Sequence, residues 1–92
     1  RWRWQRDNFG VPFMNALLEN LTKLHTTPMG VDRIRKNVSL SATEDVVAWC
    51  REKILEREAV MERRGKNWYV LNGNCEITVN AHSYTIITAH RR

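Results

Sequence analysis

Histidines, cations and hydroxyl groups occur at positions of the 92-residue sequence from which they could cleave RNA without a metal. In such a reaction the ribose 2′-hydroxyl attacks the phosphate, one side chain removes its proton, and a second protonates the leaving 5′-oxygen. Cations stabilise the charge that builds on the phosphate. We predict His25, Arg33 and His90 as the catalytic residues, because imidazole titrates near neutral pH and a guanidinium is always charged.

A second set of polar residues is predicted to hold the substrate. Lys36 and Asn37 lie three and four residues after Arg33, so they share a helix face that could cradle phosphate. The remaining members, near the end of the chain, are Ser83, Thr85 and Thr88. A structural alternative stays open for each group: a histidine that caps a helix, a solvated basic face with Asp32 paired to Arg35 or Lys36, and threonine favoured in strands.

Cysteine usage and ligand spacing bear on compartment and metal. Cys50 and Cys75 could form at most one disulfide, too few to stabilise a small secreted scaffold, so a cytoplasmic location is expected. Both lie in apolar patterns, where free cysteine packs as a small hydrophobic residue. No His or Cys pair has the short spacing of a structural zinc site, and no glycine-rich phosphate loop is present. We expect no metal and no cofactor.

Composition favours one globular domain with a polyanionic partner. Hydrophobic residues make up 42% and charged residues 27% of the chain, values typical of globular proteins. The net charge of +5 favours nucleic acid, and no apolar run is long enough to span a membrane. Residues 1–13 differ in composition and precede Met14, so we expect an N-terminal extension, native or added, before a domain at 14–92.

Apolar spacing predicts three helices before residue 58. The first runs from Asn15 to about His25, and the second has Thr27 as its N-cap, Pro28 at its first position and an end near Asn37. A capping box at residues 41–44 predicts that the third begins there and ends near residue 57, with an inner face of Val46, Val47, Cys50 and Ile54.

After residue 58 the pattern changes to short strand-like runs at 59–63, 68–71, 75–80 and 84–89. Asn72-Gly73 is the clearest hairpin signal between them. The sequence therefore predicts an α+β fold in which three N-terminal helices pack on one face of a four-stranded antiparallel β-meander. The other face of that sheet would be open to a ligand.

Several segments resemble a bacterial family of small proteins known as domain of unknown function 3781. The resemblance covers about residues 14–92 and has its most specific part at the end of the chain. The matching positions are 24–27 (Leu-His-Thr-Thr), Gly30, 33–34, Asn37, 65–69 (Gly-Lys-Asn-Trp-Tyr), 77–81 (Ile-Thr-Val-Asn-Ala) and 83–90 (Ser-Tyr-Thr-Ile-Ile-Thr-Ala-His). This family implies no particular activity.

A more distant likeness is to metal-independent ribonucleases that include barnase, the EndoU fold, colicins that cleave tRNA, and the RelE toxins. It implies that His25, Arg33 and Lys36 take the places of the helical catalytic residues. Thr85, Thr88 and His90 would take those of the last strands. The chain departs from this class in its extra helix and in lacking a clear glutamate base.

Two functions therefore follow as hypotheses. The first is a small ribonuclease that acts as a toxin or mobile-element effector and cleaves RNA through its 2′-hydroxyl. The alternative is a non-catalytic module that binds nucleic acid or a protein, such as a phage- or plasmid-borne inhibitor. RNA is the expected partner in the first case, with an antitoxin or a host target as the protein partner.

Overall fold

A computed structural model describes residues 15–91 and gives an α+β fold. The helices are α1 (Ala16–Glu19), a short 3-10 helix (Leu21–Lys23), α2 (Pro28–Val38) and α3 (Val46–Leu55). The strands are β1 (Val60–Arg64), β2 (Asn67–Asn72), β3 (Cys75–Asn80) and β4 (Ile86–Arg91). The predicted class, with helices followed by a four-stranded antiparallel sheet, is confirmed. The predicted extension at residues 1–13 lies outside the described residues.

The sheet is a meander in which the strands follow one another in the order β1-β2-β3-β4. Gly65 and Gly73 make its first two turns with φ of +58° and +60°, a conformation that costs glycine little because it has no Cβ. Between β3 and β4 the register shifts: Thr78 lies opposite Thr88, whereas Val79 lies opposite Ile86. Residue 87 is thus the extra residue of a β-bulge, where a strand commonly turns a side chain outward.

Helix α2 forms as the sequence predicts. The Thr27 hydroxyl accepts a hydrogen bond from the Gly30 amide at 3.0 Å, and Pro28 needs no amide partner at the first helical position. Ile34 and Val38 are its buried residues. The last residue of the helix is Val38, and its C-cap is Ser39, whose φ of 62° is in the left-handed region. Helix α2 packs against β4, and the Thr26 hydroxyl, just before the helix, donates to the Ile86 carbonyl, so the N-terminal end of α2 lies beside the start of that strand.

The prediction of one continuous first helix is wrong, since α1 stops at Glu19. Asn20 has φ −122° and ψ 25°, outside the α-helical range, and its side-chain amide donates to the Ala16 carbonyl at 2.7 Å. The chain continues as a 3-10 turn that keeps Leu21 and Leu24 buried. The apolar spacing was correct, but the local asparagine bond replaces a helical one.

The predicted start of the third helix is also wrong. Asp45 is the N-cap, and its carboxylate accepts from the Ala48 amide at 3.1 Å. The Glu44 carboxylate instead accepts from the Ser41 amide at 3.1 Å, which closes a turn before the helix. The helix ends at Leu55, two residues earlier than expected. Of the predicted inner face, Val46, Cys50 and Ile54 are buried and Val47 is half-buried.

The strands match their predicted positions to within two residues, and 75–80 matches fully. The last strand begins at Ile86 rather than residue 84, because Tyr84 has a φ of 60° that an extended strand cannot contain. Helices and sheet share one core, in which Leu17, Ile34, Val38, Cys50, Ile54, Val70, Ile77 and Val79 are fully enclosed. Within residues 15–91, no helix has the length and apolar character needed to cross a bilayer.

Candidate functional site

His25 is held at the edge of the sheet by its own backbone. Its amide donates to the Tyr84 carbonyl at 3.3 Å, and its carbonyl accepts from the Ile86 amide at 2.7 Å. These bonds form an isolated parallel bridge between His25 and Thr85. The loop after the 3-10 helix therefore acts as a one-residue addition to β4. Residues 60 positions apart in the sequence become direct neighbours.

The hydrogen bonds of the His25 ring assign its neutral tautomer. Nδ1 lies 2.9 Å from the Lys23 carbonyl oxygen, which can only accept, so Nδ1 carries the proton. Nε2 of the neutral ring then accepts from the Thr85 hydroxyl, whose oxygen lies 3.0 Å away. This leaves Nε2 as the basic atom of the ring, aimed at a hydroxyl.

The hydroxyl of Thr85 continues into a short polar chain. Its oxygen lies 2.7 Å from the Ser83 hydroxyl oxygen, and the Ser83 hydroxyl is 3.3 Å from the Asn80 side-chain oxygen. The same Asn80 oxygen accepts from the amides of His82 and Ser83 at 2.9 Å each. These bonds stabilise the β3–β4 turn and hold Ser83 and Thr85 beside the imidazole.

A cavity of about 310 Å³ lies between the N-terminal end of α2 and the start of β4. We call it the α2–β4 groove; its lining includes Thr26, Thr27, Met29, Arg33, Thr85 and Ile87. The Thr26 hydroxyl donates to the Ile86 carbonyl at 2.9 Å and so joins the two walls. The groove is open to solvent and combines hydroxyl groups, one guanidinium and two exposed apolar side chains.

Two cations of α2 have no partner among the described residues. Arg33 and Lys36 are exposed, and within residues 15–91 neither side chain makes a hydrogen bond or an ion pair. Arg35 is different, because it donates to the Ser41 and Glu44 carbonyl oxygens at 2.9 Å each. The alternative in which Asp32 pairs with Arg35 or Lys36 is therefore not the arrangement found. Arg33 and Lys36 are available to bind an anion.

Three of the predicted site residues lie away from the groove. His90 is near the far end of β4, where its Nε2 is 3.7 Å from a Glu76 carboxylate oxygen. Thr88 is half-buried opposite Thr78. The Asn37 side-chain amide donates to the Ala89 carbonyl at 3.3 Å, so it binds the edge of β4. The structure brings His25, Ser83 and Thr85 together and places Arg33 in the adjoining groove, but it does not bring His90 to them.

The groove is also lined by residues outside the predicted site. Thr27 was predicted only as a helix cap, and Met29 and Ile87 were not selected for a site. Met29 is 72% exposed and Ile87 is 42% exposed, unusual values for large apolar side chains. Met29 could have been predicted as exposed, because it lies in the first turn of α2 outside the buried stripe. The exposure of Ile87 could not, because it depends on the bulge in the pairing of β3 with β4. Within residues 15–91 no three His, Cys, Asp or Glu side chains lie close enough together to hold a metal ion.

Comparison with known proteins assigns the chain to a family. The family model described as "Protein of unknown function (DUF3781)" matches residues 18–90, so the chain belongs to this family, as its sequence motifs predicted. No curated protein and no solved structure matches the chain. The distant likeness to barnase, EndoU, colicin and RelE ribonucleases is accordingly unsupported by these comparisons.

Proposed function

We propose that the protein is a binding module for RNA and that the α2–β4 groove is its binding site. The observation that carries the proposal is the unpaired Arg33 guanidinium, which lines the same groove as Thr85. A guanidinium and adjacent hydroxyl donors suit a phosphate group, since both donate hydrogen bonds to its oxygens. Lys36, one turn along α2 from Arg33, extends the positive surface beyond the groove.

Binding fits the geometry better than cleavage by two histidines. A general base and a general acid must both come within hydrogen-bond reach of the reacting phosphate. His25 adjoins the groove through Thr85, whereas His90 lies five residues further along β4 and faces Glu76. At about 3.3 Å per strand residue, and with residue 87 as an extra residue, the Cα atoms of Thr85 and His90 are roughly 13 Å apart, and the His90 ring lies beside Glu76 rather than the groove. The net charge of +5 supports a polyanionic partner.

We also infer that the helices cover one face of the sheet. The support is that α2 packs against β4 and α3 against β2, while Val70 and Ile77 are fully buried. In this arrangement Tyr69 and Thr88, which point away from that face by strand alternation, lie on the open side. The groove would then be at the edge of the covered face rather than on the open one.

The binding proposal can be tested by fluorescence anisotropy with a labelled single-stranded RNA of about ten nucleotides, a length typical of such sites. Arg33→Gln should weaken binding and reduce the slope of log affinity against log salt by about 0.7, the effect of one lost phosphate contact. Arg57→Gln is the matched control, because it changes the net charge by the same amount. Arg57 is exposed in the turn after α3.

Equal losses in Arg33→Gln and Arg57→Gln would show that only net charge matters and would exclude the groove as the binding site. If the affinity for a partner changed little with salt concentration, the partner would be a protein rather than RNA. The protein would then be a protein-binding module.

A ribonuclease that uses one histidine is the second candidate. The supporting observation is the tautomer of His25: the Lys23 carbonyl holds the proton on Nδ1, which leaves Nε2 able to accept one. A ribose 2′-hydroxyl that displaced the Thr85 hydroxyl would donate its hydrogen bond to the same His25 Nε2 atom. Within residues 15–91 no imidazole lines the groove itself, and His25 adjoins it only through Thr85, so the leaving 5′-oxygen would take its proton from water. Loss of a general acid typically costs about 10²–10⁴-fold in rate.

Cleavage can be tested by incubating the protein with RNA in EDTA and analysing the products for 2′,3′-cyclic phosphate. His25→Ala should abolish cleavage, whereas His90→Ala, which changes a histidine outside the groove, should leave it intact. Equal activity in the wild-type protein and in His25→Ala would exclude this mechanism, and so would the absence of cyclic phosphate.

A further inference from the structure

Two large apolar side chains that line the α2–β4 groove are exposed, one on its helix wall and one on its strand wall. Met29 lies on the first turn of α2 and is 72% exposed, and Ile87 lies at the bulge of β4 and is 42% exposed. Neither contributes to the core of the protein. Exposing two such side chains at one cavity leaves apolar area in water, which a ligand with an apolar surface would remove.

We propose that the groove takes one unstacked nucleotide of single-stranded RNA, with its base between Met29 and Ile87 and its phosphate on Arg33. This inference rests on the proposed RNA-binding function and specifies the form of RNA that the site accepts. A base is a flat group with two apolar faces, and its adjoining phosphate is an anion. The groove is lined by both kinds of group, the apolar Met29 and Ile87 side chains and the Arg33 guanidinium.

The volume of the groove limits what can enter. At about 310 Å³ it is at the small end of the 300–1,000 Å³ that is usual for ligand sites. A single nucleotide is of this scale, whereas a base-paired helix is far wider. In a duplex the base faces are stacked on one another, so they cannot contact Met29 or Ile87. The site should therefore select single strands, or ends and loops whose bases are unstacked.

Arg33 and Lys36 favour a nucleic acid over a peptide carboxylate as the occupant. A single carboxylate needs one cation, but these two unpaired cations lie three residues apart on one helix face, about 5–6 Å between Cβ atoms. A chain that carries a phosphate at every nucleotide can contact both. The Met29 and Ile87 side chains would contact the face of a base and not its hydrogen-bonding edge, so this contact should not distinguish strongly among bases.

The experiment compares apolar-to-polar variants of the full chain, with binding measured by anisotropy against a single-stranded RNA and its duplex. Met29→Gln and Ile87→Thr each remove apolar contact while keeping a residue suited to its helix or strand. Leu55→Gln is the matched control, because Leu55 is 56% exposed at the end of α3, away from the groove. Thermal unfolding by circular dichroism would verify that all variants fold.

We expect wild-type protein to bind the single strand more tightly than the duplex. Met29→Gln and Ile87→Thr should each weaken single-strand binding about five- to tenfold, the effect of losing part of the apolar surface that each buries against the base. Leu55→Gln should have no effect. Variants that bind like the wild type, or a duplex bound as tightly as the single strand, would overturn the nucleotide site while leaving Arg33-dependent RNA binding intact.

Two further outcomes separate this inference from the function on which it rests. Absence of RNA binding by the wild-type protein would remove the proposed function and this inference with it. Binding of a short acetylated leucine peptide through its free carboxylate, lost in both Met29→Gln and Arg33→Gln, would assign the groove to a peptide terminus and overturn the nucleotide site.

Discussion

Replacing Gly30 with alanine should destabilise the protein, although alanine is the better helix former. Gly30 lies in the first turn of α2, close to the side chains of Thr26 and Thr27, which precede the helix. A Cβ built on Gly30 falls inside van der Waals contact with the Thr26 hydroxyl oxygen and 3.2 Å from the Thr27 hydroxyl oxygen. Thr26 cannot move freely, because its hydroxyl donates to the Ile86 carbonyl at 2.9 Å.

Three contributions decide the sign of the change. Alanine gains about 0.8–1.0 kcal/mol over glycine from helix propensity. Loss of the hydrogen bond between Thr26 and Ile86 costs about 0.5–1.5 kcal/mol, and crowding in a packed region costs about 1–3 kcal/mol. The costs exceed the gain, so we expect a net destabilisation of about 1–3 kcal/mol. The melting temperature should fall by about 4–8 °C per kcal/mol in a domain of this size.

A double-mutant cycle with Thr26→Ala isolates the contact. Thr26→Ala removes the hydroxyl that the new Cβ would strike, so in that background Gly30→Ala should be neutral or slightly stabilising. Unfolding by urea gives the free energy of each variant. The reasoning is refuted if Gly30→Ala raises the stability of the wild-type background, or if its effect is the same with and without the Thr26 hydroxyl.

Two other predictions concern a buried thiol and a helix end. Burial, with a smaller contribution from Cys75, raises the pKa of Cys50 from 9.0 to about 12, so Ellman's reagent at pH 8 should label Cys75 alone until the protein is unfolded. Because the unfolded thiol ionises first, the free energy of unfolding should fall between pH 9 and 12, and by less in Cys50→Ala. Ser39→Gly should raise stability by about 0.5–1 kcal/mol, measured by urea unfolding, since its φ of 62° favours glycine. Rapid labelling of both thiols, or a less stable Ser39→Gly, would contradict these predictions.

Local interactions explain which parts of the fold could be predicted. Thr27 and Pro28 specify the start of α2 within one turn, and Asn72-Gly73 specifies a hairpin, so both were located well. The break at Asn20 and the cap at Asp45 were not predicted. Each depends on one side chain–backbone hydrogen bond, from the Asn20 amide to the Ala16 carbonyl and from the Ala48 amide to the Asp45 carboxylate. Such bonds contribute about 1 kcal/mol and depend on the packing around them.

The α+β class, the family and the available chemical groups could all be read from the order of residues: hydroxyls, cations and imidazoles near the ends of α2 and β4. This was possible because periodicity and turn residues are local properties of the chain. Which of these groups lie together depends on the three-dimensional fold. The bridge between His25 and Thr85 and the bulge at residue 87 depend on pairing between distant segments. That pairing joined His25 to Thr85 beside the groove and left His90 with Glu76.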